Sequence, residues 1–417
     1  MKTTFKLIAI LLATCAGAHA QVVPAATGPG GLPISGELHY NLNFSQSAYF
    51  YGDSQDNQQR STASGNASYT NVNRHLPFNM AYGGGYSWVD AGAPTYGSVF
   101  QHLSVSQGFA KRKWSLTASD NVYYMFETPT TGYSGVPGTG EPIGGSGSST
   151  PSDQTILALN TRIFDNSSSL GLLHFLNYAT TFNIGGSLGQ MRYPDANGPD
   201  NNNTMSADTG ISRRLDAHNS VSGQYVFSRF DYIGRNFTSQ ANTAQFGYRR
   251  QWGKRLNTSA SVGPQWISSS DSATVPSSTK ISGSASVSDT FRLGTAHLSY
   301  SHGASNGSGY LLGAETDSVS AGLSREIGRR IDVSATGGYF RTAGLNVNEV
   351  TSYSVTNAGF AGAQASRRLG QHISIFANYT AIDQSTSLPA STNILNFRMQ
   401  VISVGIGYSP RETRLGQ

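Results

Sequence analysis

Arginine is the residue type whose placement in this chain could most directly do chemistry. Adjacent pairs of arginines stand beside short turn-forming stretches of the sequence. Guanidinium groups clustered in this way could bind the anionic headgroups of a membrane surface. They could also form a positive vestibule that draws anionic solutes toward a pore. The sequence leaves both interpretations open for these residues: Arg213, Arg214, Arg329, Arg330, Arg367 and Arg368.

Motifs for catalysis or for ligand binding are not found. The sequence has no phosphate-binding loop, no metal-ligand spacing of His, Cys or carboxylate residues, and no nucleophile elbow. The 9 histidines are scattered, and Ser and Asn are too frequent for a hydrolytic set of Ser, His and Asn or Asp to be recognised. We therefore expect no enzyme, no catalytic residue, no metal site and no cofactor.

The elements that must position the polar residues are strands. Segments of about 8 to 14 residues alternate between apolar and polar side chains, which predicts a sheet with one apolar and one polar face. Near the end of the chain, for example, Ile373 and Ile375 alternate with Ser374. Asp120 and the Val401-Ile402 step break the alternation, and we expect a bulge or a rim position at each of them.

The connections between these segments also alternate. Short, often basic turns are followed by longer loops rich in Gly, Ser, Asn, Asp and Pro, with one hairpin per roughly 40 residues. About eight short turns and nine longer loops predict about 18 strands, with 16 as the other even number, and both termini on the short-turn side. The third longer loop, residues 128–152, either folds inward to narrow a channel or stays outside as a flexible loop.

Composition separates this chain from soluble and disordered proteins. Its 37% hydrophobic and 12% charged content is low for a globular protein of 417 residues. Its 21 Tyr and 19 Phe argue against disorder. No apolar stretch after the first 20 residues is long enough for a membrane helix. A soluble β-sandwich, the main alternative, is expected to have shorter strands.

The N-terminus has the features of a secretory signal peptide over residues 1–20. Two lysines precede an apolar run, and Ala18-His19-Ala20 predicts cleavage before Gln21. Lipidation at Cys15 is disfavoured because Thr14 stands where a smaller residue is needed. Cleavage removes the only cysteine, so the mature chain can form no disulfide within itself. We divide the rest into a Pro- and Gly-rich leader (21–35), a barrel (36–409) and a short C-terminal tail (410–417).

With these features, the chain resembles the porin-like β-barrels of the Gram-negative outer membrane over nearly all of its mature length. The short turns, long loops and closing strand VISVGIGYSP, with Ile402, Val404, Ile406 and Tyr408, carry the resemblance. It implies an all-β, antiparallel up-and-down transmembrane barrel that contacts outer-membrane lipid and is inserted by the barrel-assembly machinery. The apolar face would meet lipid and the polar face would line the lumen. Candidate lumen residues are Asn41, Asn43, Ser334, Thr336, Ser374 and Asn378.

The resulting functional expectation is a passive, porin-like channel for small hydrophilic or anionic solutes, with no nucleic-acid partner. A structural or surface-binding barrel is one alternative, and an exopolysaccharide exporter with a continuous basic track through the lumen is another. Residues 21–35 contain no plug domain and no TonB box, which argues against energy-coupled uptake. The sequence does not determine the solute, the pore radius or the oligomeric state.

Overall fold

The computed structural model describes residues 36–52, 57–71, 75–91, 97–126, 156, 161–195, 200–328, 330–345, 354–387, 395–410 and 413–415. The predicted signal peptide (1–20), the leader (21–35) and the 128–152 loop lie outside the described residues. Within the described ranges, no helix has the length and apolar character needed to cross a membrane.

The described chain is built almost wholly of long strands, with one 3₁₀ turn at Gly307–Gly309. Most strands have 12 to 16 residues, at or above the upper part of the 8 to 14 residues that the sequence pattern predicts. In chain order the strands are β1 (Gly36–Tyr51), β2 (Gln58–Asn71), β3 (Phe78–Ala91), β4 (Ser98–Lys111), β5 (Trp114–Phe126), β6 (Arg162–Phe175), β7 (Thr180–Arg192), β8 (Asn202–Arg214), β9 (Asn219–Tyr232), β10 (Phe237–Trp252), β11 (Leu256–Ser269), β12 (Ser278–Phe291), β13 (Gly294–Ser305), β14 (Ala314–Ile327), β15 (Ile331–Gly344), β16 (Val355–Arg368), β17 (Ile373–Thr386), β18 (Phe397–Tyr408) and β19 (Thr413–Leu415).

Each strand from β2 to β17 pairs antiparallel with the strand before it and the strand after it, and β1 closes on β18. The closing register runs from Leu42 opposite Tyr408 to Tyr51 opposite Met399. β19 adds a short extension beside the start of β1, with Leu415 opposite Gly36. The predicted closed antiparallel barrel of about 18 strands is confirmed. Closure satisfies the backbone hydrogen bonds that the edge strands of an open sheet would leave unpaired.

The outer face of the barrel is an exposed apolar belt. Leu188 and Val262 are 58% and 57% exposed near the middle of their strands, and Ile281 of β12 is 68% exposed. Aromatic residues stand near both margins of the belt, with Trp114 at one margin and Trp266 at the other. A soluble protein rarely exposes so large an apolar surface, whereas lipid requires one. The barrel therefore has the architecture of a membrane-spanning barrel.

The two ends of the barrel differ in their connections. At the short-turn end, β4 and β5 are joined by Arg112 and Lys113 alone. The first residue of β1 and the last residue of β18 also lie at this end, as predicted. The longer connections lie at the opposite, long-loop end. The connection between β9 and β10 lies at this end too, but it is a tight turn, residues 233–236, because Gly234 and Asn236 adopt positive φ angles of 96° and 49°.

Neither expected irregularity contains a bulge, because both strands keep a continuous register there. Asp120 lies in the middle of β5, with Val105 opposite it on β4 and Ser168 opposite it on β6. It faces outward, where its carboxylate accepts hydrogen bonds from Asn166 (2.9 Å) and Ser168 (2.6 Å). Val401 needs no bulge either, since it lies in β18 on the inner face and is buried against other apolar side chains.

Candidate functional site: the lumen and its constriction

The inner face of the barrel is polar over most of its height. The six predicted lumen residues all lie on the face opposite the apolar belt. Asn41 accepts hydrogen bonds at its Oδ1 from Asn43 (3.3 Å) and from Asn66 of the next strand (3.2 Å). Amides that bond to one another in this way hold their side chains close to the wall. The six residues come from three strands: Asn41 and Asn43 from β1, Ser334 and Thr336 from β15, and Ser374 and Asn378 from β17.

Rows of serine hydroxyls run from strand to strand around the inner wall. In β11 to β14, the Oγ atoms of Ser261 and Ser284 lie 2.9 Å apart, and those of Ser301 and Ser318 lie 2.6 Å apart. Because these pairs are exposed, water in the lumen can reach them. Each hydroxyl can both donate and accept a hydrogen bond, so the rows offer a neutral and well-hydrated surface. A further row of directly opposed residues crosses β5 to β9: Ser119, Ser169, Ser187, Ser206 and Ser228.

Two of the arginine pairs lie at the ends of strands at the short-turn end, where the two members of each pair divide between the faces of the sheet. Strand alternation places Arg213 and Arg367 on the outer face and Arg214 and Arg368 on the inner face. In these two pairs, one arginine is thus positioned for lipid headgroups and the other for the vestibule. The two interpretations left open by the sequence both remain, each for different residues. Arg330 is exposed at the same end, and Arg329 lies outside the described residues.

The long-loop end of the lumen is apolar instead of polar. Inward-facing Tyr49, Phe360 and Val401 belong to one buried cluster, in which Phe340 stacks on Phe360 with ring centroids 5.7 Å apart. A second inward-facing cluster forms around Ile163 on β6. Burial of these side chains means that protein atoms, and not only water, occupy this end of the lumen. The remaining members of the two clusters are Ile382, Phe397, Met399, Met191 and Tyr193.

The 306–313 segment, between β13 and β14, forms part of this filling. Asn306 is 1% exposed and Ser308 is fully buried. The segment is held against distant strands, because the Tyr232 hydroxyl on β9 donates to the Asn306 carbonyl oxygen at 2.7 Å. The same hydroxyl accepts from the Gly313 N–H at 2.7 Å. Since Tyr232 faces inward, the segment lies inside the barrel and reaches from β13 and β14 toward β9.

Further hydrogen bonds fix the tip of the segment. The Tyr193 hydroxyl, just after β7, donates to the Ser308 carbonyl oxygen at 2.9 Å. The Asp200 N–H donates to the Gly309 carbonyl oxygen at 3.0 Å. Ser308 adopts a positive φ of 55°, which is uncommon for a residue with a side chain. Its N–H donates to Asn306 Oδ1 at 2.9 Å, a local bond that supports this turn.

Parts of other long connections contribute to the same constriction. Ile156, in the connection between β5 and β6, is fully buried and its N–H donates to Ser308 Oγ at 3.1 Å. Ile156 packs in one cluster with Leu311 and Leu395. Residues 128–152, for which the sequence leaves an inward fold and an external loop open, lie outside the described residues. Within the described chain, the constriction is built around the 306–313 segment.

Sequence reasoning did not identify this segment. It reads as an ordinary polar loop because it is rich in Gly, Ser and Asn. One signal was present: Tyr310, Leu311 and Leu312 form an apolar run inside the loop. An apolar run flanked by glycines in an external connection favours burial over exposure to solvent.

Ion pairs stabilise the long connections that surround the constriction. Arg162 donates through Nε to the Asp195 carboxylate at 2.9 Å, and this hydrogen bond holds the pKa of Asp195 below its usual value. Burial raises the pKa of Asp200, although Arg235 lies 2.5 Å from its carboxylate and opposes the shift. Both pairs lie at the long-loop end and brace the chain on either side of β8.

Side-chain groups that could take part in metal binding or hydrolysis can be sought within the described residues. No group of three or more His, Cys, Asp and Glu side chains in those ranges could hold a metal ion. The outward-facing group of Asp120, Asn166 and Ser168 combines a carboxylate, an amide and a hydroxyl, and it includes no histidine to act as a base.

The sequence matches no protein-family model, and no curated protein sequence matches it. Among solved structures, the chain is similar to OccK2 (OpdF) of Pseudomonas aeruginosa, with 10% identity, a TM-score of 0.46, and coverage of 91% of this chain and 98% of that chain. It is also similar to the outer membrane protein OpdK of Pseudomonas aeruginosa, with 8% identity, a TM-score of 0.43, and coverage of 89% and 99%. The siderophore receptor PirA of Acinetobacter baumannii gives 9% identity, a TM-score of 0.41, and coverage of 91% and 81%. Similarity at this level carries no argument about function, so the proposals below depend on the residues of this chain.

Proposed function

We propose that this protein is an outer-membrane channel through which small hydrophilic solutes diffuse, without catalysis and without a cofactor. The observation that supports the proposal is the exposed rows of serine hydroxyls on the inner wall, such as Ser261 with Ser284. A barrel of 18 strands is too wide for side chains of this size to fill. The space between the rows would hold water.

Passage through such a lumen needs no strong binding. A solute would exchange hydrogen bonds with water for hydrogen bonds with hydroxyl and amide groups of the wall, and a wall with few charges would release it again. The 306–313 segment would set the upper size limit, because it occupies the lumen at the long-loop end. Solutes would enter beside it, and the apolar clusters would discourage the passage of strongly hydrated large molecules.

An exopolysaccharide exporter is less well supported than a channel. It would need a continuous basic track, whereas the middle of the described inner wall is lined mainly by Ser, Thr, Asn and Gly. A surface-binding barrel is the second candidate, and one specific observation favours it. The packing of Ile156, Leu311 and Leu395 fills part of the mouth, as expected of a barrel that does not conduct.

Electrical recording separates the channel from the surface-binding barrel. Purified full-length protein would be folded in detergent, checked for a folded form by its migration on an unheated gel, and added to planar bilayers. Stepwise ion conductance, together with swelling of proteoliposomes in small sugars but not in long oligosaccharides, supports the channel. Folded protein that gives no conductance contradicts it.

We further propose that the short-turn end faces the periplasm and the long-loop end faces the outside. Barrels insert with both termini inside and with their long loops outward, in contact with outer-membrane lipid and through the barrel-assembly machinery. Ala273→Cys in the connection between β11 and β12 should be labelled on intact cells by a membrane-impermeant reagent. Gly370→Cys, exposed at the short-turn end, should not be labelled. The opposite pattern contradicts this orientation.

A further inference from the structure

A groove of about 360 Å³ is set into the inner wall where β5, β6, β7 and β8 lie side by side. Gly171 and Gly185, directly opposite each other on β6 and β7, form its floor. A Cβ atom placed on Gly171 would meet nothing within 4 Å. Thr117 on β5 and Asp208 on β8 lie at the two ends of this row, directly opposite Gly171 and Gly185. The wall is therefore recessed between the side chains of Thr117 and Asp208.

Asp208 is held in a fixed position over this floor. Asn183 donates through Nδ2 to Asp208 Oδ2 at 3.0 Å. A Cβ on Gly185 would lie 2.5 Å from Asp208 Oδ1, so the carboxylate extends across β7 into space that only a glycine leaves open. The carboxylate thus lies along the groove and is held there by the hydrogen bond from Asn183 on β7.

Hydroxyl groups border the same groove. Ser169, Ser187 and Ser206 follow one another in the adjacent row across β6, β7 and β8. The Oγ atoms of Ser187 and Ser206 lie 2.7 Å apart, and each hydroxyl retains further hydrogen-bonding capacity. The groove therefore combines one carboxylate with several hydroxyls and an open floor.

We propose that this groove binds a small solute that carries a protonated amine and several hydroxyl groups, such as an amino sugar. The ammonium group pairs with Asp208, and the solute hydroxyls exchange hydrogen bonds with Ser187, Ser206 and Thr117. Near mid-strand, Asp208 is the one carboxylate on the inner face within the described ranges, so the groove takes a single positive charge. Its volume lies at the lower end of small-molecule sites, which start at about 300 Å³. The inference rests on the proposed channel, since the lumen is the route to the groove.

Binding can be measured directly by titration calorimetry on the folded full-length protein in detergent. The probe is glucosamine below neutral pH, where its amine is protonated. Asp208→Asn should weaken binding by about tenfold or more, because a charged partner is lost while the shape is kept. Asp383→Asn, which removes an exposed carboxylate from the outer face of β17, should leave binding unchanged.

A neutral analogue gives a second test that needs no variant. N-acetylglucosamine, which lacks the positive charge, should bind the wild-type protein about tenfold more weakly than glucosamine. Equal binding of the two sugars, undiminished binding by Asp208→Asn, or no binding of glucosamine to the wild-type protein would each overturn the inference. Conductance recorded on the same preparation separates the two proposals. A conducting protein that ignores glucosamine refutes the groove alone, and a binding protein that never conducts refutes the channel alone.

Discussion

Removal of one hydroxyl group should loosen the constriction. Tyr232 is 2% exposed, and its hydroxyl bonds to both ends of the 306–313 segment. Tyr232→Phe deletes both bonds and keeps the aromatic ring that packs against Phe237, with centroids 5.7 Å apart. The change is therefore directed at the segment and not at the barrel wall.

The size of the effect follows from the groups left behind. The Asn306 carbonyl oxygen and the Gly313 N–H would both lose a buried partner, and each such loss costs roughly 1–3 kcal/mol. Water in the lumen would replace part of these bonds. We expect the packed segment to be destabilised by about 2 kcal/mol, a factor of roughly 30 in its equilibrium with a released state. The unfolding temperature of the barrel should change little, since the strand pairings remain.

Two assays report on the release. Single-channel recordings should show more frequent or larger openings in Tyr232→Phe, and chymotrypsin should cleave faster at Tyr310. Tyr225→Phe is the matched control, because it removes one hydroxyl from the outer face of the same strand, where Tyr225 donates to Asn242 at 2.6 Å. The reasoning is refuted if Tyr232→Phe behaves as wild type in both assays, or if Tyr225→Phe produces the same change.

Two further predictions concern the wall and the long connections. Val262→Arg places a charge in the middle of the lipid-facing belt and should destabilise the folded barrel by about 2–4 kcal/mol, whereas Ser284→Arg on the inner face should be tolerated. Urea titrations of the two variants in lipid vesicles measure the difference. Equal unfolding midpoints would show that the faces are assigned wrongly. Because Arg162 lowers the pKa of Asp195, this carboxylate stabilises the folded state above its ordinary pKa of 3.8, and the contribution is lost as the pH falls through the lowered value. The unfolding temperature of Asp195→Asn should therefore fall less than that of the wild type as the pH is lowered below 3.8. Parallel plots of unfolding temperature against pH for the two proteins would contradict this role of Asp195.

The barrel itself could be predicted from the sequence because its determinants are local. Side chains alternate with a period of two along each strand, so Ile373 and Ile375 identify the lipid face without knowledge of any other strand. The difference between short turns and longer loops likewise gives the strand number and the side on which the termini lie. Neither inference needs a contact between distant parts of the chain.

The constriction could not be predicted in the same way, because distant residues create it. Tyr232 lies 74 residues before Asn306, and Tyr193 lies 115 residues before Ser308. The same cause explains the error at Val401. An apolar residue on the inner face looks like a shift of phase when the strand is read alone, whereas its partners in the cluster, Tyr49 among them, come from strands that meet only in the closed barrel.

The groove around Asp208 was equally hidden from the sequence. A single aspartate in a strand that also carries Asn, Ser and Thr gives no signal of a site. Its surroundings come from the registers of four strands, which place Gly185 beneath the carboxylate and Thr117 across the recess. Register of this kind depends on the whole set of turns and pairings, and no short stretch of sequence encodes it.

The central claim is that the polar lumen conducts. The most direct measurement is the single-channel conductance of the purified, folded full-length protein in planar bilayers, recorded beside a sample of the same protein unfolded by heat. We predict discrete conductance steps from the folded protein and none from the heated sample. A folded barrel that inserts into the bilayer, as shown by protection of its strands from added protease, and yet gives no conductance steps would contradict the account.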